Sequence, residues 1–257
     1  MSHLCEVIDA HRYYGAVKAL QGIDLQLDRG EILGLVGPNG SGKTTLFNCM
    51  SGHTKLTRGK VLWRERDITR WPMHQVAGVG LVRTFQQSMR FPSGTVRDNV
   101  VTALEIARVA VHGERAVALP DGADGLLDFV GLGHDSDQAA AVLGHGRLRQ
   151  LGVAMALAAR PEVLLLDEPA AGLNAGESQE LSTCLRRINQ AGVTVVLVDH
   201  DMEFVLPLVQ RLVVIATGQK LADGHPDEVR RDRAVIDAYL GSRFEEATPD
   251  RSANGNT

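Results

Sequence analysis

An α/β fold with a mainly parallel core sheet is predicted by three observations. The apolar run Ile32–Val36 leads directly into Gly37-Pro38-Asn39-Gly40-Ser41-Gly42-Lys43-Thr44, a full match to the phosphate-loop pattern G-x-x-x-x-G-K-[ST]. A second apolar run, Val163–Leu166, ends in the carboxylates Asp167 and Glu168. From there, strand-like and helix-like stretches alternate, which is the pattern of parallel strands joined by crossover helices.

The elements follow in order. Residues 4–36 alternate apolar and polar positions in short stretches and read as antiparallel strands with turns at Gly15, Gly22 and Arg29-Gly30. A helix is expected over Thr44–Met50, its N-terminus facing an anion. Gly59–Trp63 reads as a strand, and Gly78–Val82 leads into Arg83-Thr84-Phe85-Gln86. Residues 95–158 change character: Val96–Val111 and Gly125–Val130 carry helical periodicity between Gly, Pro and Asp breaks, and a further helix is expected over Leu148–Ala159. This part reads as an inserted helical lobe. Alternation then resumes with a helix over Gly176–Ala191, strands over Val193–Val198 and Arg211–Ala216, and a closing helix over Asp232–Leu240. The polar tail 242–257 lacks periodicity and is expected to be disordered. No internal repeat is present.

Composition bounds the function. The 257 residues carry 44% hydrophobic and 23% charged side chains, ordinary values for a globular protein. A net charge of −4 and only 4% aromatic residues argue against a nucleic-acid partner. Cys5, Cys49 and Cys184 share no metal or redox spacing and read as reduced thiols. No run of 18 apolar residues and no secretory signal is seen, so any membrane link is expected to run through a partner.

The phosphate loop implies a triphosphate nucleotide with Mg²⁺. Its glycines let backbone N–H groups turn inward around phosphates, Lys43 supplies a point charge, and the Thr44 hydroxyl is placed to ligate the metal. Asp167, at a strand's carboxyl end, is the expected second metal contact, and Glu168 the expected general base. Asp199-His200-Asp201 lacks a second His or Cys at ligand spacing, so a phosphate contact by His200 is favoured over a transition-metal site.

With these residues in order, the chain resembles the ATP-binding subunits of ABC transporters over nearly all of residues 4–241. The resemblance implies a P-loop NTPase fold with a RecA-like core sheet, an N-terminal antiparallel β subdomain and a helical subdomain inserted at about 88–158, the whole domain spanning 1–241. It also implies that Tyr14 stacks on adenine and that Gly37–Thr44 with Thr45 holds the phosphates. Gln86 would link Mg²⁺ to the membrane partner, and His200 would sense the γ-phosphate. Ala171-Gly172-Leu173-Asn174 corresponds to the loop after the catalytic glutamate. Val82–Gln86, Asp167–Asn174, His200-Asp201-Met202 and Ala238-Tyr239-Leu240-Gly241 are most similar to subunits of branched-chain amino-acid importers, with urea and amide importers close behind. Such subunits close head to tail with a second ABC ATPase subunit, identical or not. They work on transmembrane permease subunits, with a substrate-binding protein, at the cytoplasmic face of the cell membrane.

One departure stands out. The family signature Leu-Ser-Gly-Gly-Gln is here Leu143-Gly144-His145-Gly146-Arg147. Gly146 keeps its N–H, but the serine hydroxyl is absent at Gly144, and a hydrogen bond to a charged group is worth about 1.5–3 kcal/mol. Arg147 is expected to offset part of this loss as a cation near the phosphates. The inserted lobe between Glu105 and Ala139 also reads as short for the family. A non-hydrolysing regulatory or assembly subunit and a soluble non-transport ABC protein are the competing readings.

Overall fold

The computed structural model describes residues 3–84, 94–110, 115 and 117–238. Two sheets face each other. The first has the order β2-β1-β4-β5, formed by β1 (Cys5–Tyr14), β2 (Val17–Leu27), β4 (Arg58–Trp63) and β5 (Arg66–Asp67), all pairs antiparallel. The second has the order β10-β9-β3-β8-β7-β6: β3 (Ile32–Val36), β6 (Leu81–Arg83), β7 (Val163–Asp167), β8 (Thr194–Val198), β9 (Arg211–Ala216) and β10 (Gln219–Gly224). Its pairs are parallel except the edge hairpin β9–β10.

The parallel strands are apolar on both faces because both faces are covered. Along β7, Val163 and Leu165 point into one core and Leu164 and Leu166 into the other; Val196 and Val198 of β8 oppose Val195 and Leu197 in the same way. One core is closed by the antiparallel sheet and by Leu46, Phe47 and Met50 of α1 (Lys43–Met50). The other is closed by α6 (Ala175–Gln190) and by α3 (Val96–Ala110), α4 (Gly122–Val130) and α5 (His145–Leu157). The short helices α2 (Met73–Val79), α7 (Met202–Val205) and α8 (Pro226–Val229) complete the chain, with residues 233–238 also helical.

Four local expectations are corrected. Gly22 does not turn the chain; it is the extra residue of a bulge inside β2, at φ 84°, where the pairing shifts between His11↔Gln21 and Ala10↔Ile23. Strand β3 lies in the parallel sheet, as its apolar run predicts, so the antiparallel reading of residues 4–36 holds only as far as Leu27. Helix α5 starts at His145, not Leu148, so 145–147 form its first turn. The edge strand β10 was not anticipated. The expected tail 242–257, Gln86 and Tyr239–Gly241 lie outside the described residues.

Candidate nucleotide site

Parallel strands end their carboxyl termini on one edge, and β3, β8, β7 and β6 lie side by side there. The phosphate loop leaves β3, Asp167 ends β7, Asp199 and His200 follow β8, and Arg83 ends β6. Sequence-distant groups meet because Val198 pairs with both Leu35 and Asp167.

The loop is shaped by glycine. Gly37, Gly40 and Gly42 have φ of 149°, 74° and 107°. A Cβ on Gly37 would lie 1.9 Å from the Ile215 carbonyl oxygen, and one on Gly42 2.4 Å from that of Ala19. The loop is thus seated on the β9–β10 hairpin, whose Gly218 N–H donates to the Ser41 carbonyl at 2.9 Å. Lys43 is buried and turned onto the loop itself: Nζ donates to the carbonyls of Gly37 (2.7 Å) and Pro38 (2.9 Å). Burial lowers its pKa below the usual lysine value, partly opposed by Glu168 and Asp167 nearby. A cavity of about 130 Å³ lies against Ala19, Gly40, Gly42, Lys43, Thr44 and Thr45. Pro38 and Asn39 lie at the outer bend of the loop, with Asn39 exposed.

Asp167 is buried and paired with Arg83, whose Nη2 donates to Oδ2 at 2.6 Å while Nη1 donates to Asn48 Oδ1 on α1. The other oxygen, Oδ1, is buried with no hydrogen-bond partner among the described residues. An orphaned buried carboxylate oxygen costs free energy unless something fills the position. Together with the exposed Thr44 hydroxyl it offers hard oxygen donors, the chemistry that suits Mg²⁺.

Glu168 adopts φ 48°, a left-handed conformation uncommon for a non-glycine residue, and its N–H donates to the Val198 carbonyl at 2.7 Å. His200 has a 66% exposed side chain at the edge of the site, with Nδ1 3.7 Å from Asp199 Oδ1. Tyr14 is 44% exposed at the end of β1, and the Arg12 guanidinium stacks over its ring at 4.4 Å.

Leu143 and Gly144 precede α5, and Gly144 is its N-cap with no side-chain cap. A Cβ at Gly144 would meet nothing within 4 Å, so the missing serine is not excluded sterically. His145 is exposed. The Gly146 N–H is met from within the chain: Glu177 Oε1 accepts it at 3.2 Å. Glu177 Oε2 accepts from the Asn174 N–H and the Asn174 side chain accepts from the Glu177 N–H, a capping box on α6. One carboxylate therefore serves two helix N-termini. Arg147 Nη1 donates to the Gly131 carbonyl at 2.7 Å and Nε lies 3.7 Å from Asp135, which turns the guanidinium toward α4.

Arg83, Glu177, Asp199 and Gly218 escaped the reading of the residues as site groups. Arg83 and Asp199 stood inside motifs noted for other reasons, and the Asn174…Glu177 spacing is a helix-start signature that could have been found.

Comparison with known proteins identifies the family. The family profile described as ABC transporter matches residues 20–171, more than half of the chain. The chain belongs to the ABC transporter ATP-binding family. A second profile, branched-chain amino acid ATP-binding cassette transporter, matches residues 219–245. The high-affinity branched-chain amino acid transport ATP-binding protein LivG of Salmonella typhimurium is 38% identical over 89% of this chain and 94% of its own length. The corresponding protein BraF of Pseudomonas aeruginosa is 33% identical over 93% and 98%. Among solved structures, the ADP conformation of MJ1267, an ATP-binding cassette of an ABC transporter, superposes with a TM-score of 0.81 at 27% identity, covering 94% of this chain and all of that one. This chain is an ABC ATPase with the family's adenine-nucleotide fold.

Proposed function

We propose that this chain binds and hydrolyses ATP to power uptake of branched-chain amino acids, or a related small polar solute, through separate membrane subunits. The observation that carries the ATPase reading is the convergence of Lys43, Asp167, Glu168 and His200 on adjoining strand ends. The substrate class rests on the names of LivG and BraF and on the C-terminal profile.

In this reading residues 1–241 form the ATPase domain, with 88–158 as its inserted helical part. Tyr14 takes the adenine on its exposed ring. The N–H groups of Gly37 to Thr45 wrap the phosphates, and Lys43 exchanges its loop carbonyls for phosphate oxygens. Thr44 and Asp167, with Gln86 from outside the described residues, would hold Mg²⁺, which would supply charge neutralisation at the phosphates when bound. Glu168 accepts a proton from the attacking water, and His200 contacts the γ-phosphate. The segment Leu143–Arg147 faces the ATP of a second ABC ATPase subunit, identical or not, closed head to tail. Permease subunits, and a substrate-binding protein at the level of the complex, would hold this chain at the cytoplasmic face of the membrane. None of its described helices is long and apolar enough to cross one.

The non-hydrolysing alternative is favoured by one observation alone, the uncapped Gly144. Co-purification from membranes followed by a steady-state ATPase assay separates the readings. Turnover stimulated by leucine, isoleucine or valine in the presence of the binding protein is expected. Stimulation by none of them refutes the substrate class, and ATP binding without turnover supports the alternative.

A further inference from the structure

Asp199 has no role in the chemistry above, yet its side chain is fully buried and both oxygens are occupied. Oδ1 accepts the N–H of His200 at 2.8 Å and of Asp201 at 3.1 Å, and Oδ2 accepts the N–H of Ala170 at 3.0 Å. Ala170 lies two residues beyond Glu168 in the turn that follows β7. Two neighbouring residues at the end of β8 therefore hold the Glu168 turn: the Val198 carbonyl takes the Glu168 N–H and the Asp199 carboxylate takes the Ala170 N–H. Between those ties Glu168 is kept at φ 48°. A left-handed non-glycine residue persists only where its surroundings over-determine it. The same carboxylate fixes the backbone of His200 by accepting its N–H.

A fold-stabilising role alone does not call for this group. Burying a carboxylate is costly unless hydrogen bonds offset it, and an uncharged side chain would avoid that cost. What the carboxylate does that smaller acceptors cannot is reach both strand-end turns at once, with one oxygen for each.

We infer that Asp199 is a positioning residue for hydrolysis, a buried clamp that sets the Glu168 turn and the His200 turn in one frame. The inference rests on the reading of Glu168 as base and His200 as γ-phosphate contact. Its consequence is that base and phosphate contact shift together, so loosening Asp199 harms turnover while the phosphate loop, on β3, still binds nucleotide.

The test uses the full chain with Asp199→Asn and Asp199→Ala. Three quantities are measured: MgATP affinity by titration, single-turnover hydrolysis with the protein in saturating excess over ATP, and hydrogen exchange of the Ala170 amide. Asparagine keeps one acceptor oxygen but must turn its NH₂ toward at least one of the three N–H donors. Turnover should fall about tenfold with asparagine and about a hundredfold with alanine, the scale expected for misplaced catalytic groups. ATP affinity should stay within about twofold, since the phosphate loop and Lys43, which carry most of the phosphate contacts, are left in place. The Ala170 amide should exchange faster in both variants. Parental turnover in both variants, unchanged Ala170 exchange, or a loss of turnover that only tracks lost ATP binding each overturns the inference. If alanine prevents folding, the asparagine variant decides alone. Glu168→Gln is run alongside: parental hydrolysis there refutes the base assignment, while faster Ala170 exchange in the Asp199 variants still reports the clamp.

Discussion

Lys43 lies in the site with its charge turned onto its own loop, and its pKa is lowered first by burial, with Glu168 and Asp167 pulling the other way. Because the folded value lies below 10.5, the unfolded chain binds more protons in the window between the two. Nucleotide-free stability therefore gains as pH rises through that window, and the desolvation penalty is fully present below it. Phosphate oxygens would restore the charged form. Binding of ATP in that alkaline window should thus take up protons, read by calorimetry in buffers of different ionisation enthalpy; no uptake, or release, would contradict this placement. Gly144 is the second residue that carries a prediction. Open space around it accepts Gly144→Ser, which should raise turnover at the partner subunit's ATP about tenfold or more, the scale of a hydrogen bond to a charged group. Single-site turnover in the assembled transporter checks it. Residue chemistry in the phosphate loop was legible because a ligand dictates that spacing. The partners of Arg147, the Gly131 carbonyl and Asp135, were not legible because they come from a turn that no local pattern ties to it.

Elements decide whether such residues meet. The phosphate loop is pressed on the β9–β10 hairpin, so Gly37→Ala should cost about 1–3 kcal/mol of stability for the forced backbone and lose nucleotide binding beyond that loss. Denaturant unfolding and nucleotide titration of the same sample separate the two effects. Arg83 joins α1, β6 and β7 through Asn48 and Asp167, both its own and the aspartate's side chains being almost fully buried. Removing one partner of such a pair, as in Arg83→Met, should destabilise by about 3–5 kcal/mol, with much of it regained in Arg83→Met/Asp167→Leu. A single variant as stable as the parent would show the pair to be incidental. The buried parallel strands were readable as apolar runs, and α3 from its periodicity. Strand β10 was not, because it is a largely exposed edge with no alternation to detect. The start of α5 was missed for a related reason: its N-cap is a glycine, and its capping carboxylate comes from Glu177 on another helix.

Across the whole molecule, two cores grip the parallel sheet, and the three cysteines sit inside them. Burial pushes the thiols of Cys5, Cys49 and Cys184 up to about 12, 11 and 12. They should resist alkylation in the native state near neutral pH and react together on unfolding, which mass spectrometry reads directly. The general architecture was legible because each layer leaves a period in the sequence, whereas the ties between strand ends through Arg83 and Asp199 are long-range and leave none. On the proposed function, this fold brings a base, Glu168, to a bound ATP. Glu168→Gln in the full chain tests it most directly, by MgATP affinity and single-turnover hydrolysis on one preparation. Parental ATP affinity, hydrolysis reduced to a trace, and an ATP-trapped closed dimer are expected. Hydrolysis at the parental rate with the glutamine in place would contradict the base assignment.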